Sequence, residues 1–327
     1  MSTPPDSPAT TSSEAASKAS STQPDVAVSD ELFAPLTGGV ELCYQTFGDP
    51  DDEPLLLVMG LGGPMTWWDP ELCEMLARAG FFVVRYDNRD TGRSSRAEGR
   101  VTRGALVAAF TGVAKRRSRP PYSMADLAAD AFGLLDHLGL ESAHLAGVSM
   151  GGMIVQTMAI AEPDRVRSLA SIMSTTGQRT VGWQHPSLLP TLLGRGGGRE
   201  AYIRSSVTTW RLIGSPAYPQ TREETEQRAA DTWDRGVSLS GTARQMLAIV
   251  TQPDRSAPLR EVRVPTVVVH GLADKMVHVS GGRATARAVP GAELLLIDGM
   301  GHDMPPALFE TFTRAITDNA QRSKNAG

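Results

Sequence analysis

From residue 40 onward, short runs of consecutive apolar residues alternate with longer stretches in which apolar residues recur every three or four positions. The first pattern belongs to strands buried on both faces, the second to helices resting one face on a core. Their alternation predicts a mostly parallel sheet with helices on both sides, an α/β fold. Strands are expected at 40–47, 54–59, 81–86, 143–148, 166–173, 266–270 and 293–297. Helices are expected at 70–79 and 124–138, each stopped by a glycine (Gly80, Gly139), and at 150–161 and 306–320.

Two stretches break this rhythm. Residues 1–30 are rich in Ser, Thr, Ala and Pro and hold too little apolar surface to offset the entropy of ordering, so a disordered tail is expected there. Between about 177 and 241 the strand-like runs stop. This part carries Trp183, Tyr202, Trp210, Tyr218 and Trp233, helix-like pieces, and a glycine-rich break at 194–198. It reads as a helical cap (177–241) inserted into a core made of 31–176 and 242–327.

Composition narrows the function. Of 327 residues, 41% are hydrophobic and 21% charged, and the formal net charge is −4, which argues against a general nucleic-acid binder. The two cysteines, Cys43 and Cys73, have no metal-ligand spacing and make no disulfide framework; reduced thiols are expected. No apolar run approaches the ~20 residues of a membrane span. The first thirty residues lack the charged start and apolar centre of a secretory signal, so a cytoplasmic location is the default expectation. Nothing in the sequence specifies an oligomeric state.

The strongest chemical signal is Gly147-Val148-Ser149-Met150-Gly151-Gly152, set between an expected strand and an expected helix. A nucleophile on a sharp strand-to-helix turn needs small neighbours, and Gly147 and Gly151 supply them two residues to either side of Ser149. A Gly-Ser turn opening an ordinary helix would read the same, so the partners matter. A serine hydroxyl needs an adjacent base, and on such a scaffold the chain order is Ser, acid, His. Asp274 follows the strand at 266–270, and His302 follows the last strand behind Gly299 and Gly301. Open α/β sheets gather their chemistry at the carboxyl ends of the strands, which brings all three to one edge. The other histidines fit less well: His137, His144 and His270 lie on core elements, His185 in the cap, and His278 too near Asp274. Asp164, in a helix-end sequence, reads as a surface residue.

Oxyanion donors are expected at the Met150 N–H, just after the nucleophile, and at the Leu61 N–H in the glycine-rich loop after the second strand. Gly60 and Gly62 would permit that turn and let a ligand approach the backbone closely. By itself the same loop could be an ordinary glycine-rich connection. The expected substrate is a small-molecule carboxylic ester, and no metal or organic cofactor is needed. The same groups could serve a lactone, a thioester, C–C cleavage, perhydrolysis or hydroxynitrile cleavage. Substrate-lining side chains are expected among the cap aromatics Trp183, Tyr202, Trp210 and Tyr218. Residues 103–119 read as a short apolar helix ending in the basic cluster Lys115, Arg116, Arg117 and Arg119. A helix bordering the cap with solvated charges at its C-terminal end explains it; contact with a membrane surface is the alternative.

These features resemble the α/β-hydrolase superfamily, serine esterase type, over nearly the whole chain from residue 40. Asp87-Asn88-Arg89-Asp90-Thr91-Gly92-Arg93-Ser94 is similar to its D-x-R-G-x-G-x-S loop, with Asp90 in place of the usual glycine. Arg85-Tyr86-Asp87-Asn88-Arg89-Asp90-Thr91-Gly92-Arg93-Ser94 and Val58-Met59-Gly60-Leu61-Gly62-Gly63 look most like the aclacinomycin methyl esterase group of bacterial esterases. The resemblance implies a bracing role for the first of these loops. Met59 departs from the family, many members of which carry His before the oxyanion glycine. A serine at the elbow excludes the aspartate-based dehalogenase and epoxide hydrolase chemistry of related enzymes. Some relatives are ligand receptors or stress regulators on a hydrolase scaffold, a reading of another class that fold alone does not exclude.

Overall fold

The computed structural model describes residues 25–111, 120–188 and 197–324. Eight strands form one sheet: β1 (Leu32–Pro35), β2 (Glu41–Phe47), β3 (Glu53–Val58), β4 (Phe81–Tyr86), β5 (Ala143–Val148), β6 (Val166–Ile172), β7 (Thr266–Gly271) and β8 (Glu293–Ile297). Their order is β1-β2-β4-β3-β5-β6-β7-β8, and every pair from β4 to β8 is parallel. β1 and β2 join one edge antiparallel.

Successive residues of β3 face opposite sides, and both sides are buried. Leu55 and Leu57 lie in the apolar cluster under helices α1 (Pro70–Arg78) and α9 (Phe309–Lys324). Leu56 and Val58 lie in the cluster under α3 (Met124–His137) and α4 (Met150–Ala161). This is why β3 reads as a continuous apolar run. The local signals act as expected: Asp69 caps α1 through Glu71 N, and Ser123 and Asp126 make a reciprocal capping box on α3. A short helix, α2 (Arg103–Thr111), precedes α3, and α8 (Ser280–Ala288) lies between β7 and β8.

Between β6 and β7 the described chain forms α5 (Arg199–Ile213), α6 (Arg222–Gly236) and α7 (Leu239–Thr251). The last of these runs across residue 241, where the core was expected to resume. Its buried Arg244 and Gln245 reach back to the loop after β4.

The expected tail also ends sooner than residue 30. Ser29 N donates to Thr46 O (3.0 Å), Gly48 N donates to Ala27 O (2.9 Å), and Val28 bridges Phe47. Backbone pairing to β2 and the packing of Val26 against the cluster under α1 and α9 order this stretch. The basic cluster Lys115–Arg119 and part of the glycine-rich break lie outside the described residues. Among the described residues no helix is long and apolar enough to cross a membrane. Cys43 and Cys73 are free and buried, and burial pushes both thiols up to about 12.

Candidate active site

The site begins with a strained turn. Ser149 joins β5 directly to α4 with φ 58° and ψ −117°, a conformation costing a non-glycine residue about 1–3 kcal/mol. The neighbourhood holds it there: Ser149 N donates to Ile172 O (2.9 Å), and Ser174 Oγ donates to Ser149 O (2.7 Å). A Cβ at Gly147 would run into the Gly151 backbone, and one at Gly151 into the Val58 carbonyl. Neither position has room for a side chain.

His302 Nε2 lies 3.0 Å from Ser149 Oγ, and His302 Nδ1 lies 2.7 Å from Asp274 Oδ2. Asp274 is buried, and its Oδ1 accepts the N–H groups of Met276 and Val277 at 2.8 Å each. Burial favours the neutral acid. The His302 charge and hydrogen bonds from His270 and His302 outweigh it and hold the carboxyl well below the usual carboxylate range. An ionised Asp274 can only accept, so His302 Nδ1 carries the proton and Nε2 presents its lone pair to Ser149. The arrangement can therefore take a proton from the serine hydroxyl.

His270, placed by sequence on a core strand, lies beneath this pair. Its Nε2 is 2.8 Å from Val277 O and 3.4 Å from Asp274 Oδ2. Its ring thus supports the loop that carries the acid, a contact with no local sequence signal.

The glycine-rich loop folds over the serine. A Cβ on Gly60 would sit 3.0 Å from Ser149 Cβ, so the Gly60–Leu61 peptide passes close to Ser149. Among the described residues the Leu61 and Met150 N–H groups have no acceptor, whereas Gly62 N donates to Gln245 Oε1 (2.8 Å). Gly62 therefore shapes the loop and has no N–H left for a ligand. Met59 offers its carbonyl to Asn88 Nδ2 (2.9 Å), which ties this loop to the one after β4.

That second loop is a hub. Asp87 accepts from Met65 N (2.7 Å), Arg93 N (2.9 Å) and Arg235 Nη2 (2.7 Å). Asp90 has a positive φ (73°), a conformation glycine adopts more readily. Its carboxylate accepts from Arg244 Nε (2.8 Å), Arg244 Nη2 (2.6 Å), Tyr122 Oη (2.7 Å) and Ala97 N (3.0 Å). These bonds to Arg244 and Tyr122 hold its carboxyl below the usual range despite burial. Asp90 thus anchors α7 to the core.

A profile described as alpha/beta hydrolase fold matches residues 53–305. The chain is a member of the α/β-hydrolase family. The hydrolase is 29% identical over 301 residues to the rhodomycin D methylesterase of Streptomyces sp. (strain C5), covering 85% of this chain and 94% of that one. It is 26% identical over 246 residues to 3-oxoadipate enol-lactonase 2 of Acinetobacter baylyi, covering 75% and 80%. The enol-lactonase structure from Burkholderia xenovorans LB400 superposes with a TM-score of 0.69 at 22% identity, covering 89% and 100%, a likeness of fold.

The four aromatics expected to line the substrate, Trp183, Tyr202, Trp210 and Tyr218, are dispersed in the hydrolase. Trp210 meets Trp67 edge to face (5.3 Å between ring centres), and Trp67 packs under Gly63 of the glycine-rich loop. The Arg228 guanidinium lies over the Trp210 ring (4.3 Å), its Nε and Nη2 buried and without a hydrogen-bond partner among the described residues. Trp183 is 46% exposed and stacks on His278, in the loop that carries Asp274. Tyr202 packs on Trp233, and Tyr218 packs against the cluster under α1 and α9. Through Trp67, Trp210 is linked to Gly63 of the glycine-rich loop.

Proposed function

We propose that this hydrolase cleaves a carboxylic ester of a small, largely apolar molecule through an acyl-enzyme on Ser149. The observation that carries the reading is the continuous hydrogen-bonded chain Ser149 Oγ–His302 Nε2, His302 Nδ1–Asp274 Oδ2, at 3.0 and 2.7 Å. In this reading Ser149 Oγ attacks the ester carbonyl as His302 Nε2 takes its proton. The oxyanion accepts hydrogen bonds from Met150 N and Leu61 N, each donor contributing about 3–4 kcal/mol to the transition state. His302 then returns the proton to the departing alkoxide, leaving the acyl group on Ser149. Water, deprotonated by the same imidazole, attacks the acyl carbon; the tetrahedral species collapses to free acid and serine regains its proton. Asp274 keeps the tautomer and stabilises the imidazolium.

An ester is the first reading, supported by the rhodomycin D methylesterase likeness. A lactone is the second reading, favoured by the enol-lactonase likeness. Substrate choice is assigned to the cap (177–241 and the rest of α7), with Trp210 the foremost wall residue and Trp183, Tyr202 and Tyr218 as further candidates. The two free, buried cysteines fit a reducing compartment, and a cytoplasmic site is proposed on that basis. The test is turnover of methyl esters and of matched lactones by the parent and by Ser149→Ala. Ester turnover lost in the variant supports the reading, and faster lactone opening moves it to lactonase. Parent turnover no greater than that of the variant would leave a ligand receptor as the better account.

A further inference from the structure

The loop that carries His302 is held from two sides. On the core side, Ala273 N donates to Met300 O (2.9 Å). On the other side stands the end of α5 and the chain that follows it, residues 213–217. Ile213 O accepts from His302 N (2.7 Å), and Ala217 N donates to Gly299 O (3.1 Å). Between these two bonds Ser215 uses its hydroxyl in both directions. Its Oγ accepts from Gly301 N (2.9 Å) and donates to Asp303 Oδ1. Ser215 is 3% and Asp303 7% exposed, so water has little access to replace either bond. The surfaces are in contact as well: a Cβ on Gly301 would collide with the carbonyls of Ile213 and Gly214.

We infer that Ser215 is a positioning residue for the reaction: it ties the end of the inserted helix to residues 301 and 303 and so holds the His302 imidazole at reacting distance from Ser149. The inference rests on His302 being the base. A hydroxyl is required there because one atom must accept from a backbone N–H and donate to a carboxylate; alanine does neither, and a thiol does both weakly. Loss of the bridge leaves the Gly301 N–H and the Asp303 carboxyl without this partner on either side of the base. A displacement of about 1 Å in a reacting group can cost about a hundredfold in rate. The same bridge links the base to the wall residue Trp210, whose carbonyl accepts from Gly214 N (2.7 Å) one residue before Ser215.

The test compares the parent with Ser215→Ala and the near-isosteric Ser215→Cys. Three quantities are read: kcat and KM for p-nitrophenyl acetate, and the second-order rate of fluorophosphonate labelling at Ser149. Labelling depends on activation of the serine, so it responds to the base and not to substrate binding by the cap. The expected result is a kcat and a labelling rate lowered together, by about ten- to a hundredfold in Ser215→Ala and less in Ser215→Cys, with KM changed less than twofold. The inference is overturned if folded Ser215→Ala, or Ser215→Cys where the alanine variant does not fold, keeps both rates within twofold of the parent, or if the loss falls on KM alone. Ser215→Cys decides the matter if the alanine variant does not fold. A parent that is not labelled at Ser149 removes the hydrolase reading and this inference with it. A labelled parent with unaffected variants removes this inference only.

Discussion

Replacing Asp274 by asparagine alters the site's proton arrangement while leaving its shape, and the consequence follows from two backbone bonds. Asp274 Oδ1 accepts from Met276 N and Val277 N at 2.8 Å each. An asparagine must keep its carbonyl oxygen there, because an NH₂ group facing two N–H donors would leave all of them unpaired in a buried place. Its NH₂ is then forced to the Oδ2 position, 2.7 Å from His302 Nδ1. A donor at that position selects the tautomer with the proton on Nε2, so the imidazole presents N–H instead of a lone pair to Ser149 Oγ. The base is lost without removal of any residue. Where this has been isolated in a serine triad, kcat falls about ten-thousandfold, or about 5.5 kcal/mol. The assay is initial-rate hydrolysis of p-nitrophenyl acetate at neutral pH, with the unfolding midpoint as a check on structure. Retention of more than about a tenth of the parent kcat in a folded Asp274→Asn protein would refute the tautomer argument.

Further outcomes follow from burial and placement. His144 is 1% exposed and burial pushes its pKa down to about 4, so between pH 6.5 and 4 the unfolded chain takes up a proton that the folded chain refuses. Stability should fall with pH across that window, and His144→Gln should flatten the dependence of Tm on pH; an unchanged slope would place the loss elsewhere. Asp274 acts lower: its depressed pKa stabilises the fold above about pH 4 and the contribution is lost as pH falls toward the folded-state value. Alanine at Trp183, Tyr202, Trp210 and Tyr218 in turn should give at least one stable variant, Trp210→Ala foremost, with an altered ranking of short, long and aromatic esters. Unaltered rankings in every stable variant would remove the cap from specificity.

The parts of the fold legible in the sequence are those whose burial is set by local pattern. β4, β5 and α4 occupy the expected residues because each is a buried run or a helical repeat bounded by glycine or a turn, and β8 does so as an apolar run of which only Ile297 is buried. β1 was not visible: of its four residues only Ala34 is buried, and the strand exists through its ladder to β2. The helix that runs across residue 241 was not visible for a similar reason. α7 contributes Arg244 to Asp90 and Gln245 to Gly62, contacts across more than a hundred residues that leave no periodic mark. The meeting of Ser149, Asp274 and His302 at one sheet edge was legible because a serine–acid–histidine arrangement demands a fixed order after particular strands. Ser215 and His270 were not, since a bridging hydroxyl and a supporting ring look in sequence like any other serine or strand-end histidine.

The central claim is that Ser149 is the activated nucleophile, and covalent capture tests it most directly. The parent protein and Ser149→Ala are treated with a fluorophosphonate, and the modified peptide is mapped by mass spectrometry. The account predicts stoichiometric labelling of the peptide that contains Ser149 in the parent, with none in the variant. Labelling that persists in Ser149→Ala, or that maps to another serine in the parent, would contradict it.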